Sequence, residues 1–416
     1  MSIQGYGANL ESGDSKILKI DEQYQIWLRN SQLTGEIARK MREGIAGFRY
    51  TPNISLLMPI CDTGREWVEK AIDSLIQQVY PNWELCVAVG ESETKHVGKI
   101  LEEYQTKNIP LKVANPGVSA DIAAVLNAGL SLTTGEFIGF LYPDDELSPN
   151  AIYEVVEVLN KDSRADLIYT DEDQKDLNGR RVEPFFKPDW SPDLFLSMNY
   201  LGRLNVVRKS LLSEVGGFRS GFGGSEEYDL LLRVTEKTNK IVHIAKPLYS
   251  RRRIPRSGVP EKEAYNRESA RKALQHALKR RQVKGQVLDG YGGHYRVKYD
   301  ISGRPLITII VPTRDRVSLL KRCIESIESK TTYENYEIIV VDNNSTDRDT
   351  LRYLDRSKHR VLRFDESYNF SRINNFAVRN AKGEHLLFLN NDTEVIEPAW
   401  LEAMLEHSQH PEVGVV

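Results

Sequence analysis

The sequence predicts an α/β protein with two tandem domains, of which the second is incomplete. Short apolar runs that end in polar or acidic residues alternate with amphipathic segments of helical spacing, a pattern typical of a mostly parallel sheet flanked by helices. Three strand-like segments also occur twice in the same order, about 250 positions apart. A period of this length indicates a duplicated domain, because solenoid repeats are far shorter.

The repeat is clearest in one pair of segments. Residues 134–147 read TGEFIGFLYPDDEL and residues 382–395 read KGEHLLFLNNDTEV, so Gly135 matches Gly383 and Asp144 matches Asp392. Upstream, ISLLMPICD matches ITIIVPTRD, and WELCVAVGES matches YEIIVVDNNS. An acid directly after a buried strand lies at the sheet edge where open α/β sheets bind ligands. From this stretch alone, Asp392 is either such a ligand or the cap of the following turn.

Composition limits the class of protein. The 416 residues include 40% hydrophobic and 28% charged residues, as in soluble globular proteins, and the net charge of −3 argues against a nucleic-acid binder. Three cysteines without metal-like spacing indicate a reducing compartment. We find no signal-peptide pattern and no apolar run near the ~20 residues of a membrane span. We therefore expect a cytoplasmic protein, with peripheral attachment to the inner face of the cell membrane left open.

The chain divides into four parts. Residues 1–50 form an N-terminal tail and helical extension, 51–259 the first domain, 260–304 a helix and linker, and 305–416 the second domain. In the extension, Thr34 is a plausible N-cap, and the apolar residues that follow it at helical spacing are Ile37, Met41 and Ile45.

The first domain alternates strands and helices. In order, we predict strand ISLLMP, helix 65–79, strand ELCVAV, helix 121–132, strand FIGFLY, helix 150–159, strand DLIYTDED and strand KIVHI. One side of helix 65–79 is formed by Val68, Ile72, Leu75 and Ile76. The second domain repeats the early part of this order, has no counterpart of residues 190–233, and ends in EVGVV, the predicted start of a strand.

Several separated motifs resemble the family 2 glycosyltransferases, which have a GT-A fold. They are VPTRDR, EIIVVDNNSTD, SRINNFAVRNAKGEHLLFLNNDTEV, EPFFKPDWSPD and GGF followed by GSEEYDLLLR. The chain looks most like tandem-domain members associated with O-antigen and other surface polysaccharides. The resemblance implies transfer of a sugar, with inversion, from a nucleotide-diphosphate donor to a glycan or lipid-linked acceptor, helped by Mg²⁺ or Mn²⁺.

The resemblance also implies site residues in the second domain. The nucleotide-binding residues are Pro312, Thr313, Asp315, Asp342, Arg372 and Asn391, with Asp62 in the first domain. Arg372 is either a phosphate contact or a solvated helix residue. Asp392 matches the metal-binding last acid of an Asp-X-Asp motif whose first acid is Asn390 here. One acid can still hold a divalent cation together with phosphates and water.

In the first domain the resemblance assigns metal binding to Asp144 and Asp145. The general base is Glu227, beside Glu226, where the family has Asp before an aromatic residue. The alternative is a solvated helix start, where acids are favoured by the helix dipole. Glu is one methylene longer than Asp, and a misplacement of ~1 Å can cost on the order of a hundredfold in rate.

The two domains differ at matching positions. Asp342 matches Val89, Arg372 matches Ala124, and Asn390 matches Tyr142. The first domain thus keeps the acceptor half but has lost much of the donor half, and the second keeps only the donor half. We expect the missing half to come from residues beyond residue 416 or from a partner protein.

Two further groups in the first domain have open roles. The cluster Arg251, Arg252, Arg253 and Arg256 either contacts a diphosphate or forms an exposed basic face. The aromatics Phe185, Phe186 and Trp190 either line a sugar site or pack in the core. A family histidine expected near this point is replaced at Ser250.

The leading interpretation is an inverting, hexosyl-type glycosyltransferase. The alternative is a catalytically degenerate scaffold or binding module, which Val89, Ala124 and Tyr142 favour. A nucleotidyltransferase would require a glycine-rich basic loop after the first strand, and neither PICDTGREW nor PTRDRVSLL provides one.

Overall fold

The structure of the protein is a computed structural model. It describes residues 21–60, 63–90, 94–107, 109–117, 121–253 and 259–416. The predictions for residues 1–15, Asp62 and Arg256 lie outside these ranges. The chain forms two compact units. Unit 1 comprises Met1–Gln282 with Asp289–Arg296, and unit 2 comprises Val283–Leu288 with Val297–Val416.

Unit 1 is built around a mixed sheet. Its strands are β1 (Ile54–Ile60), β2 (Trp83–Val89), β3 (Leu111–Ala114), β4 (Phe137–Phe140), β5 (Glu146–Leu147), β6 (Leu167–Lys175), β7 (Arg181–Phe185), β8 (Asn205–Arg208) and β9 (Ile241–Arg252). They run in the order β3-β2-β1-β4-β8-β6-β9-β5, with β7 paired to β6. The first four are parallel, and β8 lies antiparallel between β4 and β6.

Helices cover this sheet. They are α1 (21–30), α2 (Gly35–Ile45), α3 (Arg65–Ile76), α4 (Thr94–Thr106), α5 (Ile122–Leu132), α6 (Ala151–Lys161), α7 (Pro192–Ser197), α8 (Lys209–Glu214), α9 (Glu226–Thr235) and α10 (Val259–Arg280). Asp121 caps α5 by accepting a hydrogen bond from the Ala124 N–H at 2.8 Å. No helix in the described part of the chain is both long enough and apolar enough to cross a bilayer.

The N-terminal extension packs on unit 1 largely as predicted, with Met41 and Ile45 partly buried against its core. Thr34 caps α2 as expected, accepting from the Ile37 N–H at 3.3 Å. The prediction that Ile37 is a packing residue is wrong, because its side chain is exposed and Ala38 takes the buried position. Ile76 of α3 is likewise exposed, since it lies at the helix end beyond the face formed by Val68, Ile72 and Leu75.

Unit 2 has a smaller parallel sheet. Its strands are β12 (Ile307–Thr313), β13 (Tyr336–Asp342), β14 (Arg360–Arg363) and β15 (His385–Phe388), in the order β14-β13-β12-β15. Its helices are α11 (Val317–Lys330), α12 (Arg348–Asp355), α13 (Phe370–Val378) and α14 (Trp400–Ser408). Apolar clusters pack on both faces of this sheet. The order matches that of β3-β2-β1-β4 in unit 1.

Two predictions are wrong, one for the linker before unit 2 and one for the last residues of the chain. The predicted linker contains a strand pair, β10 (Gly285–Asp289) with β11 (Tyr295–Tyr299), because residues 295–299 alternate buried and exposed side chains. The final EVGVV forms no strand in the described structure, and its last residues are exposed. The predicted α/β fold of GT-A type, a mostly parallel sheet flanked by helices, is confirmed.

One hydrogen-bonded network explains the repeated glycine. In unit 1, Ser55 Oγ donates to Glu84 Oε1 at 2.5 Å, and the Gly135 N–H donates to Ser55 Oγ at 2.9 Å. A Cβ on Gly135 would lie 2.5 Å from the Asn53 carbonyl oxygen, so only glycine fits.

Unit 2 contains the same network. Thr308 Oγ1 donates to Glu337 Oε1 at 2.7 Å, and the Gly383 N–H donates to Thr308 Oγ1 at 2.8 Å. A Cβ on Gly383 would lie 2.6 Å from the Thr308 backbone nitrogen. The glycine therefore fixes how the strand that carries the following acid meets the first strand of each unit.

Candidate active site

The carboxyl ends of three neighbouring strands meet at one edge of the unit 2 sheet. Thr313 ends β12, Asp342 ends β13, and Asn391 and Asp392 follow β15. Asn391 Nδ2 donates to Thr313 Oγ1 at 2.9 Å, which ties the loop after β15 to β12. The structure thus brings these four predicted site residues to the same edge, where ligands bind in open α/β sheets.

Asp342 is buried at this edge and binds neighbouring groups there. Its side chain is fully buried, and it accepts from the Ser345 N–H at 3.2 Å and from the Arg363 guanidinium. A buried carboxylate needs such partners, since an unpaired one would carry a large desolvation cost. Arg363 remains 46% exposed and presents positive charge at the rim. Asp342 thus shapes the loop and holds Arg363 rather than facing solvent itself.

Asp315 joins two loops at this edge. Its backbone N–H donates to Ser345 Oγ at 2.7 Å, and its Oδ1 accepts from the N–H groups of Thr346 and Asp347 at 2.7 and 2.8 Å. Asp315 and its neighbour Arg316 have positive φ, a sparsely populated conformation for side-chain-bearing residues. Such backbone persists where surrounding contacts hold it, and it is frequent at ligand sites.

Two predicted site residues are exposed. Asp392 stands in solvent beyond β15. Arg372 lies in the first turn of α13, forms an ion pair with Glu366 and is 63% exposed. Pro312, within β12, is partly buried.

The donor set near Asp392 suits a hard divalent cation. It consists of one exposed carboxylate beside amide and hydroxyl oxygens, and Mg²⁺ commonly uses one or two carboxylates plus water and substrate phosphates. The described residues contain no cluster of three acids or histidines around this point. Asp392 would therefore hold the ion mainly through oxygens supplied by a ligand.

The matching edge of unit 1 is closed. Val89 at the end of β2 is buried and apolar. Tyr142, which follows β4, donates its hydroxyl hydrogen to Glu227 Oε2 at 2.9 Å. The Arg203 guanidinium lies over the Tyr142 ring, 3.5 Å from its centroid, and Arg203 Nη1 is 3.4 Å from Glu227 Oε2. An aromatic ring and a guanidinium thus fill the space at this strand end.

Both predicted catalytic acids are buried at the start of α9. Glu227 accepts from Tyr142, Arg203 and, through Oε1, from Asn205 Nδ2 at 3.0 Å. Burial raises the pKa of Glu226. Neither acid is the solvated helix residue of the alternative interpretation, because both have little exposure. Every oxygen of Glu227 has a protein donor, as in a structural carboxylate.

Asp145 is also engaged within the protein. Its Oδ2 accepts from the Tyr249 hydroxyl at 2.7 Å, and its Oδ1 accepts from the Arg252 N–H at 2.9 Å. Burial, reinforced by the neighbouring Asp144 charge, raises the pKa of Asp145 to about 6. Asp144 itself is partly buried at the same turn.

The described arginines at the end of β9, Arg251 to Arg253, contact acids. Arg251 is 3.5 Å from Glu172, and Arg253 is 2.9 Å from Glu183. Arg252 pairs with Glu146 and lies 4.3 Å from the centroid of the Trp67 ring. These acids thus offset part of the positive charge of the three arginines.

Of the aromatics Phe185, Phe186 and Trp190, the last two pack on other rings. Phe186 packs edge-on against Tyr24 and Trp27 at centroid distances of 6.2 and 5.9 Å. Trp190 contacts the Phe195 ring at 5.4 Å. Phe185 is 37% exposed, with the Lys187 Nζ 5.8 Å from its ring centroid.

Sequence reasoning missed the residues that complete both edges. Arg203, Asn205 and Tyr249 reach the unit 1 edge from distant segments, and Arg363 reaches Asp342 from β14. The segment GRLNVVRK carries no local pattern that distinguishes its first arginine from a surface residue. For Arg363 a signal existed, because β14 follows β13 and a neighbouring strand end is where a partner for Asp342 is expected.

Comparison with known proteins gives the family. A sequence model described as glycosyl transferase family 2 matches residues 55–221 and 308–416. The chain is 37% identical over 382 residues to the O-antigen biosynthesis protein RfbC of Myxococcus xanthus, covering 90% of this chain and 30% of that protein. It is 37% identical over 392 residues to the uncharacterized protein y4gI of Sinorhizobium fredii, covering 92% of this chain and 42% of that protein.

The chain therefore spans less than half the length of these two relatives. Among solved structures, S. aureus TarS 1-349 in complex with UDP-GlcNAc aligns with a TM-score of 0.44 and 18% identity, over 54% of this chain and 66% of that one. Since the family model covers more than half of the chain, with one matched segment in each unit, this protein belongs to glycosyl transferase family 2.

Proposed function

We propose that this protein transfers a hexosyl-type sugar from a nucleoside-diphosphate donor to a glycan or lipid-linked acceptor. The acceptor hydroxyl attacks the anomeric carbon in line, so the configuration inverts. The relative named for O-antigen biosynthesis supports a role in surface polysaccharide synthesis. A cytoplasmic protein, peripheral at the inner face of the membrane, would meet both the donor and a lipid-linked acceptor.

The donor binds in unit 2 in this proposal. The observation that carries it is the joined edge at β12, β13 and β15, where Asn391 contacts Thr313 and Asp392 stays exposed. The Asp315 and Asn391 loops form the nucleotide-side wall, and Arg363 adds positive charge for an anionic ligand. Arg372 is a second candidate contact for the phosphates.

A divalent cation held by Asp392 would neutralise the charge that develops on the leaving diphosphate. The protein's own task is then to orient the donor. The loops after β12 and β13 are held to each other by the Asp315 and Ser345 hydrogen bonds, so the site is largely preformed.

The test is nucleotide binding by the full chain. Calorimetry with UDP, GDP, dTDP and CDP, with and without Mn²⁺, is expected to show binding of one nucleotide class that is at least tenfold tighter with the metal. Magnesium chloride in place of manganese checks that the effect belongs to hard divalent cations. If the folded chain binds none of the four, with or without metal, the transferase proposal is wrong.

Unit 1 has a second candidate function, a non-catalytic binding module. The observation that favours it is Glu227, whose oxygens already accept from Tyr142, Arg203 and Asn205. A general base must instead be free to take a proton from the acceptor hydroxyl. Glu227→Gln would keep most of these contacts. Unchanged transfer by that variant would favour the module, and a loss of a hundredfold or more would favour Glu227 as the base.

A further inference from the structure

The unit 1 edge contains a positive charge, Arg203, over the residue that matches Asn390 of unit 2. Tyr142 matches Asn390 and Asp144 matches Asp392 in sequence. In unit 1, Arg203 covers the Tyr142 ring at 3.5 Å and reaches Glu227 at 3.4 Å. Its side chain is 28% exposed, so most of the side chain is shielded from water.

Hydrogen-bond geometry fixes the roles of both side chains. The Tyr142 hydroxyl donates its hydrogen to Glu227 Oε2 at 2.9 Å, so it acts as a donor at this edge. A guanidinium carries a positive charge and only donors, so Arg203 presents a cation there.

The nearby acids are already satisfied. Glu227 accepts from three side chains, and both oxygens of Asp145 accept from Tyr249 and Arg252. Among the described residues, no three acids or histidines converge there. A divalent cation brought to this turn would meet the Arg203 charge in a poorly hydrated setting, where charge repulsion is weakly screened.

We propose that Arg203 is a built-in cation that takes the place of a divalent metal in unit 1, and that unit 1 binds no metal. This proposal is the alternative to the predicted metal role of Asp144 and Asp145. This inference rests on the proposed function and deepens it, because it assigns the whole metal requirement of the protein to unit 2.

The test counts Mn²⁺ bound by the full chain without nucleotide, using electron paramagnetic resonance of free Mn²⁺. All proteins carry Asp392→Ala, so that unit 2 contributes no site. This background alone is expected to show no saturable binding. Adding Tyr142→Asp restores the Asp-X-Asp spacing while Arg203 is still present. This variant is expected to bind Mn²⁺ at least tenfold more weakly than a variant that carries both Tyr142→Asp and Arg203→Gln.

A matched control combines Tyr142→Asp with Arg208→Gln, which removes an arginine paired with Asp166 and Glu136 instead. It is expected to behave like Tyr142→Asp alone. Circular dichroism checks that each variant is folded.

Three results would overturn the inference. The first is saturable Mn²⁺ binding by the Asp392→Ala chain that disappears when Asp144→Ala is added. This comparison requires no change at Arg203. The others are equal binding with and without Arg203 in the Tyr142→Asp background, or equal gains from the Arg203 and Arg208 changes. Because no nucleotide is present, these results are independent of whether the proposed donor binds.

Discussion

Strands β4 and β15 occupy the same place in their sheets and lie in different surroundings. In unit 1, β4 pairs with β1 and with β8, and its residues Ile138 and Phe140 are buried. In unit 2, β15 pairs with β12 and with no second strand among the described residues, and the matching Leu386 and Phe388 are 38% and 49% exposed. The same strand thus packs as a central strand in one unit and as an edge in the other.

The sheet edges beyond these two strands also differ between the units. Unit 1, with the larger sheet, has its edge closed by Val89, Tyr142 and Arg203. Unit 2, with the smaller sheet, keeps the edge open at Asp392. The shared serine or threonine, glutamate and glycine network is the same in both. The comparison teaches that the network preserves the fold while the residues beyond the strand ends change independently of it.

The largest expected effect comes from the buried aromatic of β4. Phe140 is 4% exposed, and its ring lies 5.8 Å from that of Phe218. Phe140→Ala is expected to lower the free energy of unfolding of unit 1 by about 3 kcal/mol, because it leaves a cavity in a packed core. Phe388→Ala, the matched change, is expected to cost about 1 kcal/mol or less. Urea unfolding followed by circular dichroism measures both, and equal losses would contradict the comparison.

A smaller effect is expected at the shared glutamate. Burial would raise the pKa of Glu84, but hydrogen bonds from Lys112, Ser55 and Thr134 outweigh it and lower the pKa to about 2. A lowered pKa stabilises the folded state above the ordinary pKa of a glutamate, and the gain is lost as pH falls through the folded value. Because Lys112 is 39% exposed, solvent screens part of this interaction. Ionised Glu84 therefore contributes about 2 kcal/mol to the free energy of unfolding at pH 7.

Glu84→Gln is therefore expected to unfold unit 1 more easily at pH 7, with the gap to wild type narrowing as pH falls from about 4.5 toward 2. The control is Glu337→Gln in unit 2. Glu337 is less buried, and Arg360, which matches Lys112 in strand register, donates to Asn380 instead. We expect a smaller loss there, measured by urea unfolding at several pH values. A gap for Glu84→Gln that stays constant between pH 7 and 3 would contradict the assigned cause.

Local patterns predicted the strands and the polar residues that follow them. The apolar runs and the glycine turn before β15 are encoded within a few residues, and so is the helix cap at Thr34, so they could be read directly. The alternating pattern of residues 295–299 was also local, and assigning that segment to a linker overlooked it.

Contacts between distant segments could not be predicted in the same way. Arg203 joins Tyr142 and Glu227 only because antiparallel β8 inserts beside β4, and no spacing in the sequence shows that insertion. The full burial of Asp342 depends on Arg363 in the same manner. Local sequence patterns thus locate candidate acids at the strand ends. Contacts with distant segments determine which of these acids are exposed to solvent.

The most direct test of the central claim, an open donor site in unit 2 and a closed edge in unit 1, is nucleotide calorimetry in the presence of Mn²⁺ on two matched variants. Asp392→Ala is expected to weaken binding of the preferred nucleoside diphosphate by about 10- to 100-fold, the loss of one charge-assisted contact. Asp144→Ala, at the matching position of unit 1, is expected to bind like wild type. Loss of binding in Asp144→Ala with normal binding in Asp392→Ala would place the donor in unit 1 and contradict the account.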